Sequence, residues 1–358
     1  MKESRKIFFR GIVISAVGIL LGFAWNPAAF AQITIKMGSY DTVLELSLDK
    51  TNGEFASTNI KAQIFKRIIE DTTQGRIKVD VFPAGQLGGD REVLEMVKQG
   101  SVQISAYPGN PLSNFAPEVL ALQIPYVFRD INVAQRVVDG PIGKELEDLI
   151  AKKAGFRVLQ WGFEGPYYNF MTVKKQVKVP SDLKGLKIRT METPSMMEVV
   201  KLSGATPTPI SWTEVYTSLQ QGVVDGIETA LPYVRMIRAE EILKHINVAN
   251  FYLGWSNFYI NEKFWQSLSA QDKVMVKDAA LQAMSGFKGL TIWGEGLWVD
   301  FFRKKNIDVY FPTPAEAKIW ENTLKTPMIE WTKKQIGATW VDKIMKASAQ
   351  AEKELYGP

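Results

Sequence analysis

The stretch Glu92-Val93-Leu94-Glu95-Met96-Val97-Lys98-Gln99-Gly100-Ser101-Val102 is answered 122 positions later by Glu214-Val215-Tyr216-Thr217-Ser218-Leu219-Gln220-Gln221-Gly222-Val223-Val224. Five of the eleven positions are identical, and the order of signals agrees better than the letters do. In the first unit Asp90 is a good N-cap, Val93, Leu94 and Val97 recur at helical spacing, and Gly100 stops the helix. A strand over 102–106 follows. In the second unit Thr213 opens the helix, Gly222 ends it, and a strand over 223–227 follows. Amphipathic helices ending in glycine are common, so the weight lies on having one such unit in each half. Two similar α/β lobes with their strand ends on a shared crevice make a ligand cleft.

The alternation extends outward from both units. Ile33-Thr34-Ile35-Lys36-Met37 reads as a strand, and residues 38–57 read as a loop. Ile60, Ile64, Phe65 and Ile68 mark a helix stopped by Gly75. Ile77, Val79 and Val81 alternate with Lys78 and Asp80 and predict a strand closed by Pro83. A helix over 142–153, Gly155 and a strand over 156–161 continue the pattern, which is α/β organisation. Residues 186–189 read as a short strand, and Thr193-Pro194 opens a helix closed by Gly204. The C-terminal third is helical. A long run over 272–304 carries Val276, Ala279, Ala280, Ala283 and Phe287, then a tryptophan-rich stretch. Pro312 and Pro314 break it, and two further helices reach Tyr356. Most of the ten tryptophans are expected to pack the core or the lobes.

Composition removes much of enzyme chemistry. The 358 residues suggest about two domains, and 46% hydrophobic with 23% charged residues is ordinary globular usage. The absence of cysteine excludes disulfides, thiolate metal sites and a cysteine nucleophile. The single histidine, His245, excludes histidine-cluster metal sites, and with Lys244 it reads as a helix C-terminus. No metal or cofactor is called for, since Gly85-Gln86-Leu87-Gly88-Gly89 lacks the Gly-Lys-Ser/Thr ending of a phosphate loop. Of the net charge of +5, residues 1–31 hold +3, which leaves no global basic field for nucleic acid. Those residues read as a secretory signal. Lys2 to Arg10 is a basic region, an apolar run follows to Trp25, and Ala29-Phe30-Ala31 is a small-residue cleavage site. The apolar core is shorter than the roughly 20 residues of a spanning helix, so a cleaved signal is favoured over a retained anchor. The mature chain is expected to begin near Gln32, in the periplasm.

A run of motifs, taken in order, resembles the periplasmic solute-binding proteins of tripartite ATP-independent (TRAP) transporters, of the dicarboxylate-receptor type. They are Gly75 through Gly88 with its Phe82-Pro83-Ala84-Gly85-Gln86-Leu87-Gly88 core, Ile124-Pro125-Tyr126-Val127-Phe128-Arg129-Asp130, and Asp139-Gly140-Pro141-Ile142-Gly143. Pro180-Ser181-Asp182-Leu183-Lys184-Gly185-Leu186-Lys187-Ile188-Arg189, Glu214 through Gly226, and Lys263-Phe264-Trp265 complete the set. The resemblance implies the two-lobed periplasmic binding protein fold, with a ligand cleft between the lobes and a long C-terminal helix spanning both. It implies residues 32–163 with 252–292 as lobe I, and 164–251 with 293–358 as lobe II. The implied function is not enzymatic. It is capture of a small organic acid and its delivery to the small and large membrane subunits of a permease. A receptor of another transport or sensory system is the alternative, and a periplasmic hydrolase using Glu164 and Glu228 is a third reading.

The same resemblance assigns the family's carboxylate-clamping arginine to Arg189. A planar guanidinium gives a carboxylate two parallel charge-assisted bonds. Two positions depart from the family pattern. Tyr168 stands where many members carry a second arginine, and Thr229 where many carry asparagine. Tyrosine offers a hydrogen bond without charge, which favours a monocarboxylate over a dicarboxylate. Further cleft candidates are Tyr107, Asn110, Glu164, Trp212, Glu228 and Tyr233. Taken singly, each is at least as readily explained by packing or a solvated edge.

Overall fold

The computed structural model describes residues 32–39 and 58–357, so the expected signal and the loop expected over 40–57 lie outside the described residues. The first lobe is built from β1 (Ile33–Ser39), α1 (Thr58–Thr72), β2 (Ile77–Phe82), α2 (Asp90–Gln99), β3 (Ile104–Pro108), α3 (Ile131–Val138), α4 (Pro141–Ala154) and β4 (Phe156–Gln160). The chain crosses on β5 (Phe163–Thr172) into β6 (Lys187–Thr190), α5 (Pro194–Leu202), β7 (Thr206–Pro209), α6 (Val215–Gln220), β8 (Gly226–Ala230) and α7 (Leu231–Met236). It returns on β9 (His245–Asn261), then runs through α8 (Glu262–Ser267), α9 (Ala270–Lys304), β10 (Asp308–Tyr310), α10 (Pro314–Ile336) and α11 (Ala338–Tyr356).

β9 organises the molecule. Its C-terminal half pairs antiparallel with β3 and β4, and its N-terminal half pairs with β5 and β10. The strand order is β2-β1-β3-β9-β5-β8-β6-β7, with β1, β2 and β3 parallel in one lobe and β6, β7 and β8 parallel in the other. Between the lobes β9 bulges. Tyr168 of β5 faces Tyr252, but Phe170 faces Asn247, so residues 248–251 loop out of the ladder. Asn250 takes φ +49° there, and its N–H donates to the Asn169 side chain at 2.8 Å. Asparagine tolerates the left-handed region better than most residues.

One core cluster joins the lobe I sheet to α1 and α9 through Ile35, Phe65, Val79, Phe258, Ala283 and Phe287. Full burial of a side chain such as Phe65 is worth about 1.5–3 kcal/mol. A second cluster runs from the helices of lobe I, with Val93, Val133, Leu146 and Phe156, through the crossover into lobe II, with Ile188 and Val215, and it includes Trp298 and Phe302 from the far end of α9. The 35 residues of α9, about 50 Å at 1.5 Å per residue, pack against α1 and β4 of lobe I and against α7 and β10 on the other side, and so span both lobes.

Three expectations are corrected. The N-cap of α2 is Gly89, not Asp90; the Glu92 carboxylate reaches back to the Gly89 N–H at 2.8 Å, and Asp90 becomes the first helical residue. The strands after the two glycines begin later than expected, at Ile104 and Gly226. The reason is the same in both halves. The N–H groups of Ser101 and Val102 fold back onto Met96 O, and that of Val223 onto Ser218 O, so these residues finish the helix before the strand starts. His245 does not end a helix. It opens β9, opposite Thr172 and Asp308, with Nδ1 3.5 Å from the Asp308 carboxylate.

Candidate ligand-binding cleft

The parallel strands of both lobes point their carboxyl ends at one boundary, where open α/β sheets bind ligands. From β6 comes Arg189, 1% exposed, which makes it among the largest fully buried side chains. Its Nε donates to Ile210 O at 2.9 Å, and its guanidinium lies 5.3 Å from the Trp212 ring centre. Its Nη1 is out of solvent and has no hydrogen-bond partner among the described residues. Leaving a buried charged donor unpaired is costly, so this edge of the fork is set for an acceptor.

Two carboxyl groups feel the charge of that guanidinium. Glu228 of β8 accepts from Thr190 Oγ1 at 2.8 Å and from the Met191 N–H at 3.3 Å, both through Oε1. Its Oε2 is buried without a partner among the described residues. Burial pushes the Glu228 carboxyl up to about 7, against the pull of Arg189 and those two hydrogen bonds. Asp90, arriving from lobe I on α2, has its Oδ1 in the same condition. Burial also pushes Asp90 up to about 7; Arg189 opposes the rise and Glu192 adds to it. Asp90, Arg91 and Pro111 of lobe I close over Arg189, Met191, Glu192, Ile210, Ser211 and Trp212 of lobe II. The enclosed space is about 20 Å³, room for roughly one water molecule. The cleft is shut.

Hydroxyls and rings line the floor beside it. The Tyr168 hydroxyl donates to Glu164 Oε1, and the Tyr168 ring meets Tyr252 edge-on at 5.4 Å. The Tyr252 hydroxyl donates to Asn110 Oδ1, and Asn110 Nδ2 lies 3.4 Å from Met191 Sδ across the lobe boundary. Burial, then the nearby Glu164, hold both tyrosines well above their ordinary range, so they stay neutral. Trp212 and Tyr233 pack edge-to-face at 5.8 Å. A second bridge between the lobes is fully buried: Ser195 Oγ at the start of α5 donates to Gln123 Oε1 at 2.6 Å.

Residues 51–335 match the family model described as bacterial extracellular solute-binding protein, family 7. The chain belongs to that family. It is a TRAP-type solute-binding protein. A solute-binding protein of Verminephrobacter eiseniae is 38% identical over 218 residues, which cover 61% of this chain and 64% of that relative. A TRAP solute-binding protein of Polaromonas sp. JS666, solved with bound D-erythronate, superposes with a TM-score of 0.79 at 27% identity and covers 87% of this chain and 98% of its own. One from Sulfurospirillum deleyianum, solved with bound succinate, gives a TM-score of 0.77 at 26% identity over 88% of this chain and 99% of its own.

In this family-7 protein the geometry brings together Arg189, Trp212 and Tyr233 on one side of the boundary, and Glu164, Tyr168 and Asn110 along the floor. Strand register puts Thr229 on the face of Arg189, because Arg189 lies opposite Ile227, two residues before Thr229. Glu228 leaves β8 on the other face. Tyr107 is buried on β3 opposite Asn257. Sequence reasoning missed Asp90, Tyr252 and the Gln123–Ser195 bridge. Asp90 was legible only as a helix start, and Tyr252 gives no local signal at all within a strand of apolar and aromatic residues. The larger groove of this solute-binding protein, about 770 Å³ between α3, α4 and α11, contains none of these side chains.

Proposed function

We propose that the protein is the extracytoplasmic receptor of a TRAP transporter for a small hydroxylated monocarboxylic acid. The observation that carries the reading is the buried Arg189 with an unsatisfied Nη1 at the lobe boundary. The acid's carboxylate takes the open edge of the guanidinium fork. Its hydroxyls donate to Glu228 Oε2 and Asp90 Oδ1, buried acceptors that want donors. A second carboxylate on the ligand would meet Tyr168 instead of a cation, with Glu164 and Glu228 nearby. That supports a monocarboxylate such as the D-erythronate of the Polaromonas protein over the succinate of the Sulfurospirillum protein. The engagement of Glu164 by Tyr168, and of Glu228 by Thr190 and Met191, supports a receptor over a two-carboxylate hydrolase.

The partners in this reading are the small and large membrane subunits of the permease, and the compartment is the periplasm, reached by cleavage after Ala31. Among the described residues no helix is long and apolar enough to cross a membrane. The lobes divide as residues 32–163 with 252–292 and residues 164–251 with 293–358, so that one boundary falls at the bulge of β9. Mass spectrometry of acid released from protein purified without denaturation identifies the ligand. Calorimetric titration then ranks D-erythronate against succinate, and tighter binding of succinate contradicts the monocarboxylate assignment.

A further inference from the structure

We propose that Tyr126 is a strut across the hinge, fixed to lobe I and holding the β9 bulge in the shape that belongs to the shut cleft. Tyr126 lies in the motif over residues 124–128, none of which lines the space over Arg189. It takes φ +56°, and Asn250 in the bulge takes φ +49°. A left-handed backbone is an outlier for a bulky residue such as tyrosine, so the surroundings must hold it there. Tyr126 and Asn250 line one cavity of about 270 Å³, together with Ile124, Val127, Phe128 and Leu253. There the Tyr126 hydroxyl donates to Ala249 O at 3.2 Å.

The bond joins a fixed point to a movable one. Trp255 grips the chain on either side of Tyr126: its Nε1 donates to Leu122 O at 3.1 Å, and its ring meets Phe128 edge-on at 5.9 Å. The next residue, Ser256, pairs with Pro108 of β3, so this end belongs to lobe I. Ala249 lies in the looped-out residues 248–251, between the part of β9 that pairs with β10 and the part that pairs with β3 and β4. When the lobes turn apart, residues outside the ladder absorb the change in backbone dihedrals at the least cost in hydrogen bonds. Ala249 therefore shifts relative to Tyr126, and the cavity gives it room to do so. The bond is made in the shut form and broken in the open one. Tyr126 is thus a positioning residue, raising the closed fraction without touching the ligand.

Single-molecule energy transfer tests this, and the absence of cysteine makes the chain simple to label. The dyes go on Gln99→Cys and Gln221→Cys, exposed positions at the ends of the two repeated helices. Without ligand, the closed-to-open ratio should fall about two- to twelvefold on Tyr126→Phe, the effect of one lost hydrogen bond. Thermal melting checks that the variant is folded. A hydroxyl with a purely structural role would lower the melting temperature and leave the ratio alone. That result, or a parent with a single population, overturns the proposal. A second arm rests on the receptor reading above. D-erythronate should leave Tyr126→Phe faster by the same factor while associating at the parent's rate, and an unchanged release rate counts against the strut. If neither D-erythronate nor succinate closes the parent, the receptor reading falls, and the ligand-free ratio still decides for or against Tyr126.

Discussion

At the scale of single residues the cleft is a set of buried polar atoms held short of full satisfaction, and the consequences are local and measurable. Removing Arg189 leaves a ligand carboxylate desolvated and unpaired. Arg189→Ala should weaken binding by about 2–5 kcal/mol, and Arg189→Lys should recover only part because the fork is lost. Titration of the cognate acid decides it, and an affinity within threefold of the parent for the alanine variant rules out the clamp. Glu228 adds a stability effect with a definite sign. Its carboxyl sits higher in the closed fold, about 7, than its ordinary 4.5, so the fold binds the proton more tightly than the unfolded chain. Its contribution is fully present below about pH 4.5 and is lost as pH rises through about 7. Glu228→Gln should therefore raise the melting temperature at pH 8 and change it little at pH 5. Arg189 was reached through the family resemblance, which implies a carboxylate-clamping arginine at the end of this strand, and the structure places it buried at the lobe boundary. Asp90 was not legible. From sequence its partner is an N–H one turn along; in the fold the charge that acts on it belongs to an arginine 99 positions away on the other lobe.

Among the elements, those with a strong period and a glycine stop were readable. α1, β2, α4 and α9 lie within one or two residues of their expected bounds. The late starts of β3 and β8 were not, because helix capping by main-chain groups competes with strand propensity over the same residues. Two glycines show how differently one residue type serves its element. At Gly226 an added Cβ would lie 2.2 Å from Met171 O, so Gly226→Ala must push β8 off β5 and should cost about 1–3 kcal/mol or more. On the outer face of α9, a Cβ at Gly289 or Gly296 would meet nothing within 4 Å. Both positions are plain helix interior, and each replacement by alanine should stabilise by about 0.8–1 kcal/mol. Chemical denaturation of the three variants separates the cases. A destabilising Gly289→Ala would reveal a close neighbour on that face of the helix in solution.

For the whole molecule, the space of about 20 Å³ over Arg189 is too small for an organic acid, so the lobes must part for a ligand to reach that guanidinium. Small-angle scattering should show a smaller radius of gyration with saturating acid than without it, and an unchanged profile counts against a hinge. The buried Ser195–Gln123 and Asn110–Met191 contacts exist only when the lobes meet. Ser195→Ala touches no part of the carboxylate clamp, yet it removes about 0.5–1.5 kcal/mol from the closed state. Affinity should drop about two- to twelvefold, chiefly through faster release. A variant that binds as tightly as the parent would show that the bridge forms without favouring closure.

The central place of β9 also dictates when the protein can fold. Four strands of the first lobe are complete by residue 160, yet β3 and β4 both lie against β9, which arrives only at residues 245–261. A chain emerging from its N-terminus therefore holds the first lobe open for about 100 residues more, with Phe128, Phe156 and Phe65 lacking their ring partners Trp255, Tyr259 and Phe258. Such a delay suits the export to the periplasm proposed above, in which a polypeptide crosses a membrane as a thread before it compacts. It also means that the lobes are not successive folding units. A fragment ending at residue 240 should remain open to protease throughout lobe I, while one ending at residue 305 should protect the β1–β4 region. Equal protection in the two fragments would show that lobe I closes its sheet before its central strand is made.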